Sequence, residues 1–363
     1  MHSRNHRFFL TTAAFGLASF LAGAPVAHAQ WEFAPTDGSS IKFGYLAQPT
    51  AEFLDSGSDT SQNLFFRRLR LLAGGKINDK ISFFFETDSA NLGKGEPDGT
   101  KNSSDLFMQD FVISYMPQSE AFILDVGQLL AAVTYNSNQS AASLMATDYG
   151  PYSFIWAGAL DTRVGRDYGV RARGYLLNDR LEYRASILQG NRGTDSTSDL
   201  RIFGRLMFSV LGEPHKGLFY AGTNLGKKQQ LSVGASFDTQ EEYETFSMDA
   251  FWDQPLGGGN AVTAQVNWSS LDGDTFLPGL PEQENLFVEA GFYFAGMKLL
   301  PFVQYAETDF DSAALADQDK WQVGLGYMFN GHNGNLKLSY GEISTDGGDD
   351  TDEIKLQLQI FKF

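Results

Sequence analysis

The sequence has 363 residues and no cysteine. That excludes disulfides, thiolate zinc sites, iron–sulfur clusters and cysteine nucleophiles. Basic residues are few: 27 Lys and Arg stand against 44 Asp and Glu, for a formal net charge of −17. A chain this acidic does not suit nucleic acid, whose phosphates need basic patches. Histidine is scarcer still. His2, His6 and His28 precede Gln30, which leaves only His215 and His332. Both fall in predicted turns with no evident nucleophile partner, so no hydrolase is expected and no cofactor or metal is implied. After Gln30 no run approaches the ~18–20 consecutive apolar residues of a spanning helix. A sustained 3.6-residue period is missing as well.

The amino terminus is different. Met1–Arg7 carries Arg4 and Arg7, an apolar stretch runs from Phe8 to about Ala24, and Ala27-His28-Ala29 follows. This is a basic region, an apolar region and a small-x-small cleavage site, the pattern of a secretory signal peptide over 1–29. An uncleaved anchor is the competing reading, opposed by Thr11, Thr12, Gly16 and Ser19 within the run. Cleavage after Ala29 removes two basic residues and takes the charge from −17 to −19.

What is abundant is glycine, 38 residues, and aromatic residues, 14%, at a mean hydropathy of only −0.23. Apolar and polar residues alternate along most of the chain. Leu231, Val233, Ala235 and Phe237 alternate with Ser232, Gly234, Ser236 and Asp238. Val262, Ala264, Val266 and Trp268 alternate with Thr263, Gln265, Asn267 and Ser269. One greasy and one small polar face suit a wall between lipid and a water-filled lumen. An exported chain without a spanning helix crosses a membrane only as a closed barrel. The spacing predicts strands near 41–53, 62–76, 80–90, 104–116, 121–130, 164–178, 180–191, 198–212, 229–239, 243–254, 260–271, 284–296, 298–309, 319–330, 334–345 and 350–363. The expected fold is therefore all-β, a transmembrane antiparallel barrel of about 16 strands over 41–363. A periplasmic segment over 30–40 precedes it. A soluble sandwich or propeller pair is the alternative, and it would need inter-domain linkers that the sequence does not show.

Connections alternate in length, as periplasmic turns and outer loops do in such barrels. Ile77–Asp79, Pro117–Glu120 and Gly331–Asn333 are short, whereas Asn91–Ser103, Ala131–Arg163 and Asp272–Gln283 are long. Glu213–Lys228 breaks the rule, being long on the short side. Ala131–Arg163 exceeds a routine connection. With Tyr135, Tyr149, Tyr152, Phe154, Trp156 and Gly150-Pro151 it is expected to fold inward as a constriction. The sequence ends on Phe363, a frequent last residue of outer-membrane barrels. Ile354, Leu356, Leu358 and Ile360 share one parity while Phe361 and Phe363 take the other, so a bulge near Ile360 is expected.

Phe66-Arg67-Arg68-Leu69-Arg70 leading to Gly75-Lys76-Ile77, with Phe83-Phe84-Phe85-Glu86, resembles the second and third strands of the phosphate-selective porin O/P family of Gram-negative outer membranes. Val126-Gly127-Gln128 before a long loop is similar to that family, as are Arg166-Asp167-Tyr168-Gly169-Val170 and Gln189-Gly190-Asn191. Tyr220–Lys228 is similar to its stretch before the ninth strand. The resemblance implies a sixteen-stranded, homotrimeric outer-membrane porin with its third long loop in the lumen, passing phosphate-like anions along basic residues. At one place the sequence departs. After Gly127-Gln128 the family continues with a basic residue and a proline, but here Leu129-Leu130-Ala131-Ala132 follows. The loop Ala131–Arg163 has no Lys or Arg before its last residue.

Strand parity turns Arg68, Arg70, Arg171, Arg173, Arg184, Arg201 and Arg205 into the lumen. Three readings are open. A ladder of guanidiniums favours anions, because its planar donors match carboxylate and phosphate oxygens. Alternatively the arginines pair with Glu86, Asp88, Asp110, Asp125 and Glu182 and brace the wall. A basic side facing an acidic side would instead make a transverse field that orients dipolar solutes. The acidic clusters Asp309/Asp311, Asp317/Asp319 and Asp346–Glu353 lie in predicted outer loops. They are either solvated or bridged by divalent cations to lipopolysaccharide, and none has EF-hand spacing. The function expected is a passive porin for small hydrophilic solutes with anion preference, embedded in outer-membrane lipid. A non-selective diffusion porin is the alternative, followed by a barrel enzyme or tether.

Overall fold

Alternation at period two buries one strand face and exposes the other, so pairing register is set by which face meets lipid. A computed structural model describes residues 31–36, 38–103, 105–193, 196–212 and 214–363. The signal peptide and its cleavage point lie outside the described residues. In order the strands are β1 (Trp31–Phe33), β2 (Ser40–Asp55), β3 (Thr60–Asn78), β4 (Ile81–Asp88), β5 (Phe107–Tyr115), β6 (Ile123–Leu130), β7 (Arg166–Leu176), β8 (Leu181–Leu188) and β9 (Arg201–Gly212). Then come β10 (Gln230–Gln240), β11 (Tyr243–Pro255), β12 (Ala261–Asp272), β13 (Gln283–Tyr293), β14 (Leu299–Phe310), β15 (Gln318–Tyr327), β16 (Phe329–His332), β17 (Gly334–Thr345) and β18 (Thr351–Lys362). A four-residue helix α1 (Trp156–Ala159) lies in the third long loop.

From β2 to β15 each strand pairs antiparallel with the next. β15 passes over the short β16 to pair with β17 (Val323↔Tyr340), β17 pairs with β18, and β18 returns to β2 (Leu356↔Ala51). Sixteen strands thus close on themselves, leaving no unpaired edge to face lipid. β1 pairs with β2 at Trp31↔Phe43, just past Lys362↔Tyr45 where β18 leaves it. The sixteen predicted segments coincide with these strands to within about three residues at each end.

Side chains divide as the alternation requires. Val266, Val303, Val323, Leu325 and Leu338 stand exposed on the outside, while Thr263, Gln265 and Asn267 are buried on the inside. That burial departs from the expected water-filled bore. Much of the lumen is occupied by the chain itself, the long loop from one rim and the 214–229 turn from the other. A second departure concerns the carboxyl end. No bulge occurs near Ile360: the β17–β18 register runs unbroken to Gly334↔Ile360. Instead Phe361 and Phe363 turn inward and pack with Leu46, Leu72 and Phe84 against loop residues Ala141 and Ala142. Gly44 makes room, since a Cβ there would lie 2.8 Å from the Phe363 ring. An apolar patch inside the wall therefore replaces the bulge that strict parity demanded.

The outward assignment has a direct check. Val303→Arg, near the middle of β14 on the outer face, should destabilise the barrel by about 2–4 kcal/mol. Urea titration of the protein in lipid vesicles, followed by tryptophan fluorescence, measures it. A cost near zero would mean that this face does not meet hydrocarbon.

Candidate functional site

A segment lodged in a barrel must find partners for its own backbone groups, and inward side chains supply them here. Leaving β6, the Val133 carbonyl accepts from Arg205 Nη1 at 3.1 Å and from the hydroxyls of Ser236 and Ser247. The Tyr135 N–H donates to Asp249 Oδ2 (3.0 Å) and the Asn136 N–H to Asn267 Oδ1 (2.9 Å). The loop then reaches β17 and β18. Lys337 Nζ donates to the carbonyls of Leu144 (2.6 Å) and Ala146 (2.9 Å), Gln359 to that of Ala142 (2.8 Å), and Gln357 to that of Thr147 (3.1 Å).

From the opposite rim the 214–229 segment rises to meet the loop. The Tyr220 N–H donates to the Asn138 carbonyl and the Ser140 N–H to the Tyr220 carbonyl, each at 2.9 Å. Tyr135 stacks on Phe251 with centroids 4.3 Å apart and lies 4.9 Å from Tyr220. Burial pushes the Tyr135 phenol well up and that of Tyr220 to about 12. Burial, then Asp319, carries Tyr152 to about 12. All three remain neutral. His215 is buried edge-on to Tyr220, and burial pushes it down to about 4, so it too is uncharged at neutral pH.

Five of the seven predicted arginines sit in this packed region, none more than 7% exposed. Arg171 and Arg173 share Asp125, each at 2.7 Å. Arg184 pairs with Glu182 (2.7 Å) and reaches Asn138 and the Leu218 carbonyl. Arg201 lies between Asp238 (2.6 Å) and Asp167 (3.2 Å). Arg205 pairs with Asp249 at 2.7 Å. Arg184 and Arg205 join the wall to the infolded segments, Arg184 through Asn138 and Leu218 and Arg205 through Val133, while Arg171, Arg173 and Arg201 donate within the wall.

Arg68 and Arg70 lie elsewhere. Among the described residues, Arg67, Arg68, Arg70, Arg166, Lys320 and Lys355 border a cavity of about 350 Å3 on the outer side of the loop. Asp88, Asp148, Tyr149 and Phe154 complete the part of the lining that matters here. Arg70 contacts Glu86 (2.7 Å) and Asp88 (2.9 Å), Arg166 contacts Asp110 (3.3 Å), and Lys320 and Lys355 share Glu353 (2.5 and 2.6 Å). Lys355 also faces Glu52 at 3.5 Å. Arg67 Nε and Arg68 Nη2 hold the two oxygens of Asp148, at 2.5 and 2.6 Å. Burial alone would raise the Asp148 carboxyl; the two guanidiniums outweigh it and hold Asp148 well below the usual carboxylate range.

Sequence parity misses Arg67, because adjacent residues on a strand point to opposite faces. The β2–β3 register jumps from Ala47↔Leu69 to Pro49↔Phe66, so Arg67 and Arg68 together oppose the single residue Gln48. This bulge brings both guanidiniums to Asp148. The preceding proline-containing stretch of β2 is the one available signal. Arg166 escapes for a similar reason: positive φ at Val164 (50°) and Gly165 (75°) re-aims the first residue of β7. Lys320 and Lys355 were legible by parity with Gln322 and Gln357. The candidates Tyr149 and Tyr152 part company, with Tyr149 at the cavity and Tyr152 beside Trp156 and Asn285.

The clamp arginines carry a stability prediction. Arg205→Met leaves Asp249 buried without its cation and should cost about 3–5 kcal/mol. The double variant Arg205→Met/Asp249→Asn, which removes the unpaired charge but keeps an acceptor for the Tyr135 N–H, should recover most of that loss. Urea unfolding in vesicles measures both, and equal stabilities for the single and double variants would show that the pair holds nothing.

The barrel has many structural relatives at low sequence identity. It is similar to the anion-selective porin from Comamonas acidovorans, with a TM-score of 0.60 at 11% identity, covering 89% of this chain and 100% of that one. It is similar to Salmonella typhi OmpF in complex with daunomycin (TM-score 0.59, 16% identity, 91% and 100% covered). The outer-membrane channel DcaP of Acinetobacter baumannii also resembles it (TM-score 0.56, 13% identity, 91% and 99% covered). Among curated proteins none matches by sequence. The sequence profile of phosphate-selective porin O and P matches residues 48–274, and by that match, on a closed sixteen-stranded barrel, the chain belongs to the phosphate-selective porin O and P family.

Proposed function

We propose that the protein is a passive outer-membrane channel for small hydrophilic solutes that prefers anions. The observation that carries this reading is the vestibule, where six cations face one cavity in front of the infolded loop. Most of their partner carboxylates lie behind them in the wall: Glu52, Glu86, Asp110 and Glu353 are each at most 5% exposed. A solute entering the cavity thus meets donors first. Between low-dielectric walls such charges concentrate anions more strongly than on an open surface. The acidic outer loops act over only about 8–10 Å at physiological salt. Arg68 and Arg70 belong to the anion-facing set, joined by Arg67, Arg166, Lys320 and Lys355. Arg171, Arg173, Arg184, Arg201 and Arg205 brace the wall, and Arg184 and Arg205 hold the infolded segments to it. Tyr135, Tyr149 and Tyr152 help to fill the loop that narrows the bore.

The family and fold are those of a channel rather than an enzyme. The neighbours support assembly of the chain as a homotrimer, since one is described as a trimer form. The mature chain begins at Gln30, after signal-peptide cleavage, and keeps the 30–40 segment on the periplasmic side of the 41–363 barrel. Its outer wall contacts membrane lipid and, at the rim, lipopolysaccharide. Because every vestibule cation already has a carboxylate partner, a second reading has its own support: a general diffusion porin without charge preference.

Reversal potential in a salt gradient across a planar bilayer separates them. The anion reading expects a reversal potential on the anion side for the native channel, moved toward cations by Lys320→Gln/Lys355→Gln. A native channel with no preference, or one favouring cations, would leave the general-porin reading. Deleting 134–155 should raise single-channel conductance. Unchanged conductance in a deletion variant that still migrates as a heat-modifiable barrel would place the constriction elsewhere.

A further inference from the structure

We propose that Asp148 is a tethered anion seated in the protein's own oxyanion site, and that a permeating carboxylate or phosphate binds by displacing it from Arg67 and Arg68. This rests on the anion-preferring reading above.

The geometry is that of a bound ligand. The two Asp148 oxygens are divided between Arg67 Nε and Arg68 Nη2, as two oxygens of a carboxylate or phosphate would be between a pair of guanidiniums. Chloride, a single atom without oxygens, offers no such pair of acceptors. Among the described residues, the carboxylates paired with the other vestibule cations all come from barrel strands: Glu52, Glu86, Asp88, Asp110 and Glu353. Asp148 alone comes from the loop, so its side chain can leave without disturbing the wall. Its pair also lies at the edge of water. The side chains of Arg67 and Asp148 are 28% and 27% exposed, whereas Arg70, Glu86 and Asp88 are at most 7%.

Exchange keeps the charges paired. Arg68 is 2% exposed, and a buried cation stripped of its partner is strongly destabilising. Replacing one carboxylate by another oxyanion avoids that cost at both ends of the exchange. Lys355, whose charge already acts on Asp148, borders the same cavity and can receive the displaced carboxylate. Return of Asp148 then releases the solute. Competition by a tethered anion keeps retention short, which suits a channel that must let its solute go.

The test uses the native channel and Asp148→Asn in planar bilayers in potassium chloride, titrated with inorganic phosphate. Asn keeps the shape but loses the charge that competes. The phosphate concentration that halves the chloride current should fall about tenfold or more, the size of one charge-assisted interaction. An unchanged value in a variant of native mobility overturns the proposal. A native channel that prefers cations removes the reading beneath it instead. The second measurement needs no variant. The Tyr149 N–H donates to Asp148 Oδ1 at 2.9 Å, so displacement strips that amide of its acceptor. Its hydrogen exchange in the native protein should accelerate in phosphate relative to chloride at equal ionic strength. Equal exchange in the two salts overturns the proposal even if Asp148→Asn does not fold.

Discussion

Everything inside this barrel answers to one constraint: a backbone N–H or C=O removed from water needs a partner. The wall satisfies it by closure, β18 onto β2. The infolded loop has no ladder of its own and borrows partners from inward side chains. Lys337, Gln357 and Gln359 donate to its carbonyls, while Asp249 and Asn267 accept from its amides. The small polar residues of the inner face thus serve the chain's own backbone before they serve any solute. The 214–229 segment is held the same way, pairing its Tyr220 backbone with Asn138 and Ser140.

Charge follows the same logic. Arginine suits the junction of wall and loop because its planar fork reaches a carboxylate and a carbonyl together. Arg205 does so with Asp249 and Val133, and Arg184 with Glu182 and Leu218. Where the loop stops covering the wall, the same residue types face a cavity. The Arg67, Arg68 and Asp148 cluster differs from the buried pairs in exposure and in which side supplies the carboxylate, since Asp148 comes from the loop.

Much of the fold was legible because period two is a local property. Each of sixteen segments announced itself, and the ion partners Glu86, Asp88, Asp110, Asp125 and Glu182 were inward carboxylates on the strands from β4 to β8. What was not legible depended on departures from the period. Parity sends Arg67 to lipid, yet a bulge opposite Gln48 returns it to the lumen. Parity calls for a bulge at Ile360, yet Phe361 and Phe363 find an apolar patch inside.

The sequence by itself determined the closed all-β wall, the two faces of each strand and the presence of an oversized third loop. These follow from residue order along single segments. The tertiary structure alone decided which inward arginines are covered and which meet a cavity, because that depends on where a loop some thirty residues long crosses the lumen. It also decided that Arg67, Arg68 and Asp148 form one site. Asp148 lies about eighty positions from the two arginines, and only a register shift between two strands, met by a loop held from other strands, brings them within hydrogen-bond reach.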